Sequence, residues 1–280
     1  MEKYSLKKSI LIILITAIGV FSSCKEKQKK ETPATKEVSL ESREVTYSTD
    51  STQMKGYVVY DKNLDKKRPG VIVVHEWWGH NDYVRERADM LAELGYTAIA
   101  IDMYGNGKLA EHPQDAGKFA GMVMSNIDEA KARFEAALKV LKSDPSVDPN
   151  HIAAIGYCFG GSVVLTMANA GEDLDAVAAF HSGVQLPIMP NDKLKAKVLV
   201  ANGADDPFIP EESVMQFKAA MDSIHADYQY IAYPNAKHSF TSKRGTALGE
   251  KFNLPLEYNA EADAKSWEAL QELLNRTFNK

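Results

Sequence analysis

From about residue 41 onward, short apolar runs alternate with longer stretches in which apolar side chains recur every three or four positions. The run GVIVVH at 70–75 is continuously apolar and rich in β-branched residues, as expected of a strand buried on both faces. Runs at 97–101 (TAIAI), 151–155 (HIAAI), 176–180, 197–201 and 228–233 predict further strands, and 43–48 with 55–60 an opening pair. Between them, Val84, Ala88, Leu91 and Ala92 share one face of a predicted helix over 83–94, which Gly95 closes. Ala130, Phe134, Ala137, Leu138 and Leu141 stripe a second helix over 127–141. Helices are also predicted over 162–169, 211–224 and 262–277. Such alternation implies an α/β fold, a mostly parallel central sheet with helices on both faces. Ligands in these sheets bind beyond the carboxyl ends of the strands, so the residues just after each strand are where chemistry is sought.

The first 40 residues follow another pattern. Lys3, Lys7 and Lys8 precede an apolar stretch over 10–21, and Ser22 and Ser23 lead to Cys24. The stretch is short for a membrane span, which needs roughly 20 residues, and reads as an export signal. It resembles a bacterial lipoprotein leader over 1–23, with Cys24 as the lipidated first residue of the exported protein. Residues 24–40, charged and almost devoid of large apolar side chains, read as a flexible tether. The expected location is the periplasmic or cell-surface side, held to a membrane by the N-terminal lipid.

Composition adds limits. A chain of 280 residues accommodates one large α/β domain, here 41–280. Its net charge of -5 offers no basic surface for nucleic-acid phosphates. The two cysteines, Cys24 and Cys158, stand in unrelated contexts, and no disulfide between them is expected.

Candidate chemistry gathers at the predicted strand ends. Gly156-Tyr157-Cys158-Phe159-Gly160-Gly161 lies between a strand and a helix, matching G-x-nucleophile-x-G with cysteine as the nucleophile. Asp206 follows the strand at 197–201, with Asp205 as its competitor, and His238 follows the strand at 228–233. The order nucleophile, Asp, His is that of the α/β-hydrolase fold. In that fold the loop after 70–75 donates one oxyanion-hole amide and the residue after the nucleophile the other, here Trp77 and Phe159. HEWWGH at 75–80 is not a zincin motif, because Gly79 occupies the position of the second histidine.

Glu76 before Trp77, the GYCFGG turn, the DPFIP run from Asp206 to Pro210, and His238-Ser-Phe together resemble the dienelactone hydrolase family, over about residues 41–278. Asp102-Met-Tyr104 and Tyr258-Asn259 ahead of Trp267 add to the likeness. The resemblance implies ester or lactone hydrolysis by a Cys158–His238–Asp206 triad and favours Asp206 over Asp205. It assigns Glu76 to proton exchange with the Cys158 thiol, and implies neither metal nor organic cofactor. Relatives hold a substrate carboxylate with two arginines, whose positions here carry Asn106 and Ser242. Lys243 and Arg244 stand nearby as candidates to replace them in holding substrate, Trp77, Trp78 and Tyr104 offer apolar contact, and the stretch 244–256 is expected to form a lid or rim loop. The partner expected is a small ester or lactone. Two rivals keep the same fold: a non-catalytic ligand-binding surface lipoprotein, and a thiol redox sensor built on Cys158.

Overall fold

In the central strands, alternate residues enter opposite cores. Ile72 and Val74 join one apolar cluster and Val71 and Val73 the other, as do Val198 and Val200 against Leu199 and Ala201. A strand used on both faces has no polar side, which is why these segments are continuous apolar runs. The computed structural model describes Met1 and residues 37–279. The leader, Cys24 and most of the tether therefore lie outside the described residues.

The elements in chain order are β1 (Leu40–Ser48), β2 (Gln53–Asp61), β3 (Arg68–Val74), α1 (Asp82–Glu93), β4 (Thr97–Ile101), α2 (Pro113–Met124), α3 (Ile127–Lys142), β5 (Val147–Tyr157), α4 (Phe159–Ala170), β6 (Ala176–Phe180), β7 (Lys197–Gly203), α5 (Glu211–Ser223), β8 (Tyr228–Tyr233), α6 (Gly245–Phe252) and α7 (Ala260–Phe278). The strands form one 8-stranded sheet in the order β1-β2-β4-β3-β5-β6-β7-β8. Only the β1–β2 and β2–β4 pairings are antiparallel; the rest are parallel. One face is covered by α2 to α5, through side chains such as Val123, Phe134, Val163 and Phe217. The other is covered by α1 and α7, through Leu91, Leu270 and Leu274.

The strand order positions the site. From β3 the chain moves to one side, to β4, and then returns across to β5 on the other side of β3. The carboxyl ends of β3 and β5 are neighbours, with Val74 opposite Gly156. This reversal is where an open α/β sheet leaves a crevice. The loop 75–78 and the turn at Cys158 both open into it.

Three features depart from the sequence expectations. The stretch 244–256, expected as a lid or rim loop, contains α6. Helix α2 was not anticipated, and β5 begins four residues earlier than 151. The helices α2 and α6 meet over the loop after β3, where Trp78, Ala110, Ala116 and Leu256 form a small cluster with Phe119 and Phe252.

Candidate active site

Cys158 joins the end of β5 to the start of α4 with φ 53° and ψ -117°. A side-chain-bearing residue rarely holds such a backbone, and its persistence requires the surroundings to impose it. They do so through glycines. A Cβ on Gly156 would fall on the Gly160 backbone, and one on Gly160 on the carbonyls of Val74 and His75. The Cys158 N–H donates to the Phe180 carbonyl at 2.9 Å, and its own carbonyl accepts from Gly161 N–H at 3.0 Å. The thiol is thereby held out from the sheet at the N-terminus of α4, half-buried and free of any disulfide.

His238 and Asp206 come from the loops after β8 and β7. His238 Nδ1 lies 2.7 Å from Asp206 Oδ2, and the other carboxylate oxygen accepts from Phe208 N–H at 2.9 Å. Both oxygens are engaged, and the Asp206 side chain is fully buried. Asp205 is exposed, and its N–H is spent on the Ala236 carbonyl. With Nδ1 committed to the carboxylate, Nε2 is the nitrogen left for exchange. Burial alone would lower the basicity of His238, but negative charge and a hydrogen bond at Cys158, together with Asp206, outweigh it and raise its pKa to about 10. The protonated imidazole is therefore favoured, beside the Cys158 sulfur and the Asp206 carboxylate. In Cys158→Ala one raising charge disappears while burial remains. His238 titration followed by NMR should then move down from about 10. An identical titration in both proteins would rule out the charge coupling.

Glu76 is buried beside this pair. Its Oε1 accepts from the Ser239 hydroxyl at 2.6 Å. Burial raises its pKa, opposed by the Ser239 bond and by the charges of His238, Arg87 and Arg244. Such a carboxyl can hold or accept a proton in a closed site. His75 fixes the loop that carries it: Nε2 accepts from Met103 N–H at 3.2 Å, so Nδ1 is the protonated nitrogen and donates to the Glu76 carbonyl at 2.5 Å.

Trp77 occupies the turn after β3 and Phe159 is the first residue of α4, so the Phe159 N–H is one of the helix's unpaired donors. Tyr104 donates its hydroxyl to the Trp77 carbonyl at 2.9 Å, tying that turn to the loop after β4. That loop is shaped by Asp102, whose carboxylate accepts from the N–H groups of Tyr104, Gly105 and Gly107. Trp78 is buried against Phe252 of α6 at 5.9 Å. A cavity of about 530 Å³ opens beside Glu76, lined by Trp78, Ser242, Arg244 and Lys251 among others. It reaches the crevice at Glu76, with Cys158 and His238 outside its lining. The strained turn and the paired imidazole lie in the crevice at the strand ends.

The structure thus brings Cys158, His238, Asp206, Glu76, Trp77, Phe159 and Tyr104 to one crevice, and Trp78 and Arg244 to the cavity beside it. Behind these residues lie Ser239, bonded to Glu76, His181, packed against His238, and Thr241, bonded to His181. His181 follows β6 directly, and a histidine after a predicted strand was the only available signal.

The dienelactone hydrolase family model matches residues 54–278. The chain belongs to the dienelactone hydrolase family. As a member it is a hydrolase acting on ester or lactone bonds. Two solved structures agree in sequence and shape. The structure of m3DLH is 35% identical over 85% of this chain and 99% of its own, and superposes with a TM-score of 0.81. A dienelactone hydrolase-like promiscuous phosphotriesterase, P91, from metagenomic libraries is 33% identical over the same shares, with a TM-score of 0.79. Protein usf of Aquifex pyrophilus is 28% identical over 205 residues, 71% of this chain and 87% of its own. The "Putative carboxymethylenebutenolidase" of Aquifex aeolicus is 26% identical over the same shares.

Proposed function

We propose that this dienelactone hydrolase family member cleaves esters or lactones through a covalent thioester on Cys158. The observation that carries the reading is the sulfur on a strained turn facing an imidazole whose Nδ1 is held 2.7 Å from Asp206. The Cys158 thiolate attacks the acyl carbonyl, and the N–H groups of Trp77 and Phe159 receive the negative oxygen. The tetrahedral adduct collapses, the carbon–oxygen bond breaks, and His238 gives its proton to the departing alkoxide. A water then attacks the thioester, His238 takes the water's proton, and the carboxylic acid leaves with the thiolate restored. Asp206 keeps the imidazole in the tautomer both transfers need. Glu76 accepts the thiol proton when Cys158 is found protonated. Hydrolysis of a p-nitrophenyl ester of a short acid by the purified chain tests this reading, and its complete absence would oppose it.

For substrate charge, the reading is a preference for neutral esters or lactones. Ser242 is buried and carries no charge, and Asn106 sits on an exposed turn with φ 57°. The cavity lining mixes Glu76, Asp82 and Glu111 with Arg85, Arg244 and Lys251, which gives no net sign. An arginine–carboxylate hydrogen bond contributes about 1.5–3 kcal/mol, so its loss lowers kcat/KM for an anion about tenfold or more. The expected result is a neutral ester outpacing its carboxylate-bearing analogue, with Arg244→Ala changing little. A preference for the anion that disappears in Arg244→Ala would reverse this reading.

For location, the reading rests on sequence. Cys24 receives lipid after removal of 1–23, and the following residues tether the hydrolase to a membrane surface facing outward. Lipoprotein processing supplies the two or more acyl chains that stable attachment requires. Cys24→Ser should release the protein into the soluble fraction, and an intact mass lacking lipid in the wild type would refute the anchor.

A further inference from the structure

Two rings pack against the imidazole of His238, in addition to the bond from Nδ1 to Asp206. Phe208 meets it edge-to-face at 5.1 Å from the solvent side, and His181 at 5.3 Å from within. Phe208 is 46% exposed and can yield; His181 is fully buried and cannot. His181 continues from β6 with φ 38°, an unfavourable backbone for a residue with a side chain, and its N–H donates to the Ala201 carbonyl at 2.8 Å. Its Nε2 lies 2.7 Å from Thr241 Oγ1, which lies 2.6 Å from the Tyr83 hydroxyl. Arg87 bonds the Thr241 carbonyl and, at 2.8 Å, Asp263, while lying over the rings of Tyr83 and Tyr157. Thr241 is only three residues beyond His238, in the same tight loop, where Ser242 N–H returns to the Ser239 carbonyl at 2.9 Å.

Among the described residues the other ring nitrogen, His181 Nδ1, is buried without a partner. A bare lone pair there costs less than an unpaired N–H, so Nε2 carries the proton and donates to Thr241. Burial, His238 and Arg87 all hold His181 neutral. A second cation beside the His238 imidazolium would repel it, whereas a neutral ring leaves it in place.

We propose that His181 and Thr241 are a positioning pair for the catalytic imidazole. The neutral His181 ring, locked by Thr241 and Tyr83, backs His238 so that Nε2 stays aimed at the sulfur through both proton transfers. This rests on the hydrolase mechanism proposed above and adds two residues that touch no substrate. A misplacement of about 1 Å in a catalytic group can cost about a hundredfold in rate.

The test compares full-length wild type with His181→Phe, Thr241→Val, Thr241→Ser and the double variant His181→Phe/Thr241→Val on one chromogenic ester. Each of the first two should lower kcat by about ten- to a hundredfold with KM within about twofold. Thr241→Ser, which keeps the hydroxyl, should restore most of the rate, and the double variant should be no worse than the poorer single one. A loss of kcat that Thr241→Ser fails to rescue, or multiplicative losses in the double variant, overturn the pair. So does kcat within twofold of wild type in a folded Thr241→Val. Thr241→Val is nearly isosteric, so it decides the matter if thermal melting shows that His181→Phe does not fold. Absence of turnover in wild type, or full turnover in Cys158→Ala, would instead mark failure of the parent mechanism.

Discussion

Cys158→Ala is expected to lower ester hydrolysis by about 10⁴-fold or more, leaving a folded chain with a nearly unchanged melting temperature. The size follows from hydrolases in which loss of the nucleophile removes the covalent route and leaves only oxyanion stabilisation and binding. The survival of the fold follows from what holds the turn. Its shape is imposed by Gly156, Gly160 and Gly161 against Val74, His75 and Ser182, and by backbone bonds to Phe180 and Gly161. Alanine keeps the Cβ and loses only the sulfur, which is half-buried. Alkylation supplies the converse: iodoacetamide should modify Cys158 once per chain and abolish turnover. Stoichiometric alkylation with activity retained would remove Cys158 from the mechanism.

Helix α2 shows where local pattern stops carrying information. Its apolar positions include Phe119, Ala120 and Val123, but Gly117 and Gly121 lie among them and Met122 is exposed, so the amphipathic stripe is broken. Boundary signals were there, with Pro113 in the first turn and His112 accepting from Gln114 N–H. Helix α6 likewise begins at Gly245 and contains Gly249, whose missing Cβ lets the Leu256 carbonyl approach. Both helices are stabilised by the cluster around Trp78, which pattern within either segment does not reveal. The central runs of strands β3 to β7 were legible because burial on two faces makes them continuously apolar. The first half of β5 was not, since Pro149 and Asn150 break the run and the register shifts between Pro69 and Gly70.

The site divides in the same way. Cys158, Asp206 and His238 each follow a legible strand, and the fold's fixed order of such residues made them a set. The residues packed around the set are recognised only by contacts across long separations. Ser239 and Glu76 are 163 positions apart, and Tyr83 and Thr241 are 158 apart. No spacing rule joins such pairs; the sheet reversal between β3 and β5 and the loop after β8 do.

Asp206→Asn should lower kcat by about 10⁴-fold, the size seen when the corresponding aspartate of a serine protease is amidated. Asparagine fits the space, so a packing defect does not account for the loss. The carboxylate has two acceptor oxygens, and both are used, by His238 Nδ1 at 2.7 Å and by Phe208 N–H at 2.9 Å. An amide has one acceptor oxygen and one donor group. If the oxygen stays with Phe208, the amino group points at Nδ1 and forces the proton to Nε2, where the imidazole cannot take one from water. If the oxygen turns to Nδ1, the amino group meets the Phe208 N–H donor, and the loop after β7 loses its anchor. Either way the negative charge that steadies the imidazolium is gone, so His238 also becomes a weaker base. Asp205→Asn, at an exposed position whose backbone N–H bonds the Ala236 carbonyl, should stay within about twofold of wild type. Steady-state kinetics on the two variants side by side give the answer, with NMR titration of His238 as the independent readout. Were Asp205→Asn the crippled enzyme and Asp206→Asn the active one, the aspartate of the triad would have been misassigned.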